Sequence, residues 1–281
     1  MRRRKRHGWR RVINGVSIST FVIVVLLAAP LYWLIISSFK TPEAMGVSPP
    51  QFFPSPVSGS NYSQAFKQYD FGVYFRNSLI VSILATALVL IFGTLAGYAL
   101  ARTPMRGKFT TMVTLLIISL FPAIAVIAPL YLLLRNLGWL NSYQGLIVPY
   151  TAFNLPFAIW ILRNYMLGIP KEMEETGRID GASPLRTIWS IILPMALPGV
   201  FTAAIFCFTA CWTEFLMALT FNDVNTYKTI PVGIATFGTP TLTPYGEIFA
   251  ASVVAVVPIA ILVFIFRKFV VSGLTSGAVK G

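Results

Sequence analysis

Few side chains in this sequence could carry out chemistry, and they are widely separated. The one histidine, His7, sits in a basic stretch near the start, and the two cysteines, Cys207 and Cys211, lie four apart in an apolar run. On a helix those cysteines would share a face. Two thiols make neither a zinc set nor a disulfide framework, so they read as small packing residues. A single histidine in a solvated tail leaves no Ser/His/Asp set. Gly107-Lys108 lacks the first glycine of a phosphate-binding loop and is followed by Phe109, so ATP phosphates are not cradled by that route. Among the nine acidic residues, Glu214 stands inside an apolar stretch, while Glu172, Glu174, Glu175 and Asp180 share one charged segment, 169–194. Neither arrangement is a catalytic constellation. The expectation is a protein that is not an enzyme, with no catalytic or metal-ligating residue and no cofactor of its own.

The elements that must position these carboxylates follow from composition. Apolar residues reach 56%, charged residues only 11%, and the mean hydropathy is +0.73. An ordinary globular domain carries roughly a quarter charged residues, so most of this chain faces lipid. Crossing a hydrocarbon core needs about 20 mainly apolar residues. Six stretches qualify, near 14–38, 76–101, 111–134, 145–166, 195–221 and 248–270. The fold class expected is an all-α integral membrane protein with six transmembrane helices. Pro30, Pro122, Pro129, Pro149, Pro156 and Pro258 interrupt them, as membrane bundles tolerate where neighbours satisfy the freed carbonyls.

Orientation follows from the basic residues. With the N-terminus inside, 17 of the 22 Lys and Arg fall on the inner side and five outside, which by the positive-inside rule makes both termini cytoplasmic. Seven crowd into residues 2–11, the pattern of an anchor beside anionic headgroups rather than of a nucleic-acid surface. The apolar run after them exceeds the roughly 7–15 residues of a signal sequence and is expected to stay as the first span. Two longer connections, 41–75 and 221–247, then lie outside.

The segment 169–194 lies on the inner face between spans four and five. Pro170 suits a first helical position, and Glu172, Glu174 and Glu175 follow in the turn where the helix dipole favours negative charge. Lys171–Glu175 and Glu174–Arg178 are i,i+4 pairs. Gly181 supplies the positive φ of a sharp stop, and Ser183 with Pro184 starts a second helix that ends by Pro194. Two readings stand: a solvated hairpin on the membrane surface, or a rigid lever that fits a partner's groove and moves spans four and five. Dipole and pairing account for the carboxylates. Replacing Glu174 alone is therefore expected to do little, whereas a bulky residue at Gly181 should uncouple the lever.

Glu175-Thr-Gly177, then Gly181 after three residues, then Ile191-x-Leu-Pro194 after nine, reproduces the spacing of the "EAA" loop of binding-protein-dependent importer permeases. More narrowly, Ile169-Pro-Lys-Glu-Met-Glu-Glu-x-x-Arg-Ile-Asp-Gly-Ala-Ser183 resembles the carbohydrate-importer branch that includes maltose permeases. Asn61-Tyr62, Arg76-Asn77-Ser78, Leu137-Gly-Trp-Leu-Asn141, Trp212-Thr-Glu-Phe-Leu216 and the tail 273–281 agree, so the resemblance covers essentially the whole chain. One departure is that the two alanines of the family loop are Thr176 and Gly177 here.

The resemblance implies a type I ABC importer permease fold in a bacterial or archaeal plasma (inner) membrane. It divides the chain into 1–70 (basic tail, first span and outer loop), 71–270 (permease core) and 271–281 (cytoplasmic tail). Glu174, Glu175, Thr176, Gly177, Asp180, Gly181 and Ala182 would form the coupling helix that docks into a cytoplasmic ATPase subunit. The implied partners are a second related permease, two ATPase subunits holding ATP and magnesium, and an extracytoplasmic sugar-binding protein, whose pocket the 221–247 loop would probe. The cargo is then a sugar, of di- or oligosaccharide size, with glycerol phosphate or polyamines as other solutes of the same fold.

Glu214 has two readings of equal standing. Either it is hydrogen-bonded within the bundle, or with Thr213, Trp212 and Asn154 it lines the path or its outer gate. An ion-coupled carrier is a further alternative, but such carriers place several ionisable residues at midplane, and this sequence offers one.

Overall fold

In the computed structural model the described residues are 15–239 and 243–278, with side chains described for 18–239 and 243–267. The basic tail 2–11 and the last three residues lie outside them. The chain runs as α1 (Gly15–Ser38), α2 (Pro42–Met45), α3 (Ser60–Gln68), α4 (Phe71–Arg102), α5 (Lys108–Ser119), α6 (Ala123–Asn136), α7 (Gln144–Leu167), α8 (Glu172–Ile179) and α9 (Pro184–Thr187). A π-helical turn, Ile188–Ile192, leads into α10 (Leu193–Met195), α11 (Leu197–Thr213) and α12 (Leu216–Phe221). A 3₁₀ turn at Asn225–Tyr227, α13 (Ile230–Ala235) and α14 (Tyr245–Ala278) complete the order.

Four helices, α1, α4, α7 and α14, are long and apolar enough to cross a membrane on their own. The other two expected spans are not continuous rods. Helices α5 and α6 meet at 87°, and the segment Pro184–Met195 meets α11 at 82°. Six crossings result only if each bent pair counts as one. The first bend falls at Phe121-Pro122, where Pro122 is extended (ψ 120°) and lacks the N–H a continuing helix would use. The second falls at Ala196, between Pro194 and Pro198. A further break follows α11, because Glu214 is extended (ψ 132°). The expectation of one helix over 195–221 is thereby corrected. Helix α14 passes residue 270 without interruption and ends at Ala278, so no backbone break marks the division expected there.

The core sits around α4 and α7. In the most apolar window of α7, 56% of residues are buried, against none in that of α1, which buries only its last turn, Ile36 to Ser38. The two central helices cross closely because α4 carries glycine at the contact. A Cβ on Gly97 would stand 3.2 Å from the Arg163 amide nitrogen and 3.3 Å from Leu162 Cβ. One on Gly93 would stand 3.1 Å from Leu162 Cδ1. Helix association in lipid depends on such small-residue contacts, since burying apolar surface from lipid yields little. Helix α11 adds Ala203 and Cys207 against Val89 and Leu162. Both cysteines are free and buried.

Candidate functional site

The charged segment folds as the two-helix hairpin read from its caps. Gly181 has φ +76°, the Gly181 amide donates to Arg178 O (3.0 Å) and the Ala182 amide to Gly177 O (2.9 Å). That is the bond pair of a Schellman stop, which satisfies carbonyls the helix end would leave free. Ser183 Oγ accepts from the Arg186 amide (3.4 Å), with Pro184 in the first turn. The start differs slightly: α8 begins at Glu172 with Lys171 as its cap, leaving Pro170 just outside.

The hairpin's carboxylates do not behave alike. Glu175 and Asp180 are exposed, together with Thr176, Gly181, Met173, Ile179 (86% exposed) and Leu185, so this face is open to a partner. Glu174 points the other way and is buried. Its Oε1 lies 2.5 Å from Arg102 Nε, with both side chains 6% exposed, and Tyr98 donates its hydroxyl to Oε2 at 3.0 Å. Arg102 also donates Nη2–H to Ile169 O (2.6 Å), at the joint between α7 and α8. Among the described residues this is the one ion pair within 4 Å, so the expected pairing of Glu174 with Arg178 is corrected. Around it Ile169, Ile192, Met166, Ala101 and Ala196 form an apolar seat. In the sequence Tyr98 is one residue of an apolar stretch and Arg102 one basic residue at its end. Their i,i+4 spacing, which puts both on one helix face, is the signal that could have found them.

Thr176 and Gly177, the departures from the family loop, have separate explanations. Thr176 Oγ donates back to Glu172 O (2.8 Å) and points outward, so its branched side chain meets nothing. Gly177 is buried against the second helix of the hairpin, and a Cβ there would run into Ile191 Cδ1, with Ala182 Cβ 4.0 Å away. The larger Ile191 occupies the space an alanine methyl would need. Ala182 itself is half-buried in this joint.

At the other end of the bundle, Glu214 sits in the gap between α11 and α12. Its Oε1 accepts from the Met217 amide (2.8 Å), and its Oε2 accepts from the Ala218 amide (3.1 Å) and the Tyr150 hydroxyl (2.5 Å). Two amides orphaned at the start of α12 are thus satisfied by a side chain on the residue before its cap. Asn154 joins the same group, donating Nδ2–H to Tyr150 O (2.8 Å) and to Cys211 Sγ (3.6 Å). Glu214 and Asn154, grouped by the sequence, therefore share a network whose central member is Tyr150, a residue with no distinguishing mark in the sequence. The other two candidates diverge from it. Thr213 is exposed, its Oγ donating to Thr209 O (2.8 Å). Trp212 is 3% exposed, packs on Phe208 and Phe75, and donates its indole N–H to Ala255 O (3.0 Å). The indole is enclosed by the bundle rather than lining an open surface beside Glu214. Trp212 instead joins α11 to α14.

The 222–230 loop is stitched to α4 and to the turn before α7. Asn77 donates to Thr226 O (2.8 Å) and Lys228 O (2.9 Å) and accepts from the Tyr143 hydroxyl (2.8 Å). Ser78 Oγ accepts from the Ile230 amide (2.8 Å). Asn141, at φ +52°, accepts from the amides of Asp223 (2.9 Å) and Val224 (3.1 Å). Asn77, Ser78 and Asn141 appeared in the sequence only as marks of resemblance. Here they hold the irregular backbone of 222–230 in place.

A helical bundle interrupted twice by sharp bends, with a capped hairpin against one end, defines a class, that of type I ABC importer permeases. Consistent with it, the fold matches the structure of a bacterial ABC transporter involved in import of the acidic polysaccharide alginate, with a TM-score of 0.78 at 20% identity over 93% of this chain and 98% of that one. Residues 90–276 match the family described as "Binding-protein-dependent transport system inner membrane component", and the chain belongs to that family. It is therefore a multi-pass membrane protein of the permease type. Among its relatives are the sulfoquinovosyl glycerol transport system permease protein SmoH of Agrobacterium fabrum, 37% identical over 94% of this chain and 93% of that protein. Another is the trehalose/maltose transport system permease protein MalG of Thermococcus litoralis, 36% identical over 94% and 95%. The trehalose transport system permease protein SugB of Mycobacterium tuberculosis is 35% identical over 98% and 100%.

Proposed function

We propose that the chain is the membrane-spanning permease subunit of a sugar importer, passing a di- or oligosaccharide delivered by an extracytoplasmic binding protein. Energy comes from two cytoplasmic ATPase subunits, which hold the ATP and magnesium, and a second, related permease completes the path. The observation that carries this reading is the hairpin of α8 and α9. Its two helices are locked at Gly181, its backbone ends are satisfied internally, and its outward face offers Glu175, Thr176, Asp180, Met173 and Ile179 to a partner. Such a lever has no chemistry of its own to perform. Its use is to receive movement, and the names of the full-length relatives support sugar as the cargo. Glycerol phosphate is the solute next in line for the same fold.

On this reading, supported by the excess of Lys and Arg on one side, the hairpin and both termini are cytoplasmic and the 221–247 loop is outside. Gly177, Gly181 and Ala182 then form the joint of the coupling helix, while Glu174 faces the bundle. Glu214 and Asn154 border the path near its outer end, Thr213 offers a hydroxyl beside them, and Trp212 anchors the break that lets this region move. Water and sugar hydroxyls exchange hydrogen bonds readily with such neutral and anionic groups.

Co-purification from the native membrane, followed by ATPase assays with the binding protein and candidate sugars, tests the reading. The expected result is recovery of an ATPase pair and stimulation by one sugar class. Recovery of the chain without any ATPase subunit, or uptake that survives loss of the ATPase, overturns it.

A further inference from the structure

Helix α4 is the only long helix among the described residues that neither contains proline nor breaks. Pro30 lies inside α1, Pro149 and Pro156 inside α7, and Pro258 inside α14, while α5–α6 and α10–α12 are bent or interrupted. At its inner end α4 carries Tyr98 and Arg102, which between them contact both oxygens of Glu174. At its outer end it carries Asn77 and Ser78, which hold the carbonyls and amide of the 226–230 backbone. At about 1.5 Å per residue the 25 residues from Asn77 to Arg102 span roughly 37 Å. One stiff rod therefore touches the hairpin at one end and the outer loop at the other.

The hairpin is joined by the chain only to α7 and α11. Movement reaches α4 through packing alone, on α7 and α11 and directly on the hairpin, and the direct polar contact centres on the Glu174 carboxylate, with Arg178 also at the Tyr98 hydroxyl. We infer that Glu174, Arg102 and Tyr98 form the clasp through which the coupling hairpin drives α4, and that α4 carries that displacement to the outer loop. The inference rests on the importer reading above, since it needs a partner that moves the hairpin. Its physical basis is that a buried carboxylate and guanidinium separate only at the penalty of leaving charge unpaired in an apolar seat. Because Arg102 also binds Ile169 O, the α7–α8 joint, the hairpin can neither slide along α4 nor swing from it. Hairpin and rod move as one body. Glu174 is thus a positioning residue, and Glu175 on the opposite face is left for the partner.

The test uses the whole importer reconstituted in liposomes with its binding protein. It compares the native protein with E174A, R102A, the double variant, E174Q and Y98F. The readout is sugar transported per ATP hydrolysed, which a purely structural role does not move once the amount of assembled complex is normalised. Because Glu174 is buried and paired rather than solvated as its sequence context implied, E174A and R102A are expected to lower that ratio roughly five- to tenfold, and the double variant no further than either alone, as for one shared contact. Y98F, which removes only a hydroxyl, should lower it about twofold.

A second readout is D223C labelling by a water-soluble maleimide, since the native cysteines are buried. Its rate should change on ATP addition in the otherwise native complex and stay constant with E174Q. Should E174A fail to assemble, E174Q and Y98F carry the test. An unchanged ratio in both, or additive losses in the double variant, overturns the clasp. A native complex with no binding-protein-dependent ATPase would instead overturn the importer reading itself.

Discussion

The two ends of α4 are held in opposite ways. At the Arg102 end the neighbouring hairpin already satisfies its own backbone, through the Schellman stop at Gly181 and the Ser183 cap, and its polar contact with α4 is a charged pair and a phenol in an apolar seat. At the Asn77 end the 222–230 segment has little regular structure, and neutral side chains of α4 and of the turn before α7 supply its backbone partners. The hairpin is thus a preformed part that is clasped. The loop takes its shape from what it is bound to. Changes at the Arg102 end should misplace a folded element, and changes at the Asn77 end should unmake one.

The largest break in that contrast is expected from N77A. It strips donors from Thr226 O and Lys228 O and the acceptor from Tyr143, which at about 1–3 kcal/mol per stranded buried group should cost at least about 2 kcal/mol. Thermal unfolding in detergent should fall by several degrees, with new protease cleavage confined to 222–230. Equal cleavage at the hairpin would erase the distinction between the ends.

Next is E214Q. The amide presents a donor where the carboxylate accepted three bonds, so one α12 amide loses its partner at about 1–3 kcal/mol. Uptake should fall while membrane assembly persists; unchanged uptake would remove Glu214 from the mechanism.

Replacing Gly181 with valine forces a branched residue to φ +76°, at about 1–3 kcal/mol. Space is not the obstacle, since no atom lies within 4 Å of a Cβ there. Transport per ATP should drop with the complex still assembled. S183A should lose about 1 kcal/mol through its cap and do the same more weakly.

The smallest effect belongs to G177A. Alanine gains up to about 1 kcal/mol of helix propensity, and only the flexible end of Ile191 must turn aside. ATPase stimulation should stay within about twofold of the native value. A larger loss would mean that the snug joint at Gly177, rather than the clasp at Glu174, sets the hairpin's position.

The local features were legible because local chemistry produces them. Gly181, Ser183 and Pro184 act on backbone groups within a few residues, so the hairpin's stop and start could be read from their order. Its carboxylates could not be sorted that way. Glu174 and Glu175 are adjacent and chemically alike, and what separates them is a tyrosine 76 positions away that folding brings alongside one of them. The proline at Phe121-Pro122 warned of a break, but the 87° bend depends on how α5 and α6 pack. Glu214 looked like a lone intramembrane charge, because the carboxylate's three donors come from a break in the helix that carries it and from Tyr150 on another.

From residue order alone come the lipid-facing composition, the apolar stretches, the sidedness implied by Lys and Arg and the family spacing of 175–194. Each depends on side-chain type or on neighbours close in the chain. Folding alone decides that α4 is the unbroken rod, that Arg102 finds Glu174, and that Trp212 turns away from Glu214 toward α14. Those are contacts between distant segments, and two adjacent residues of one helix acquire different partners only when other helices pack beside them.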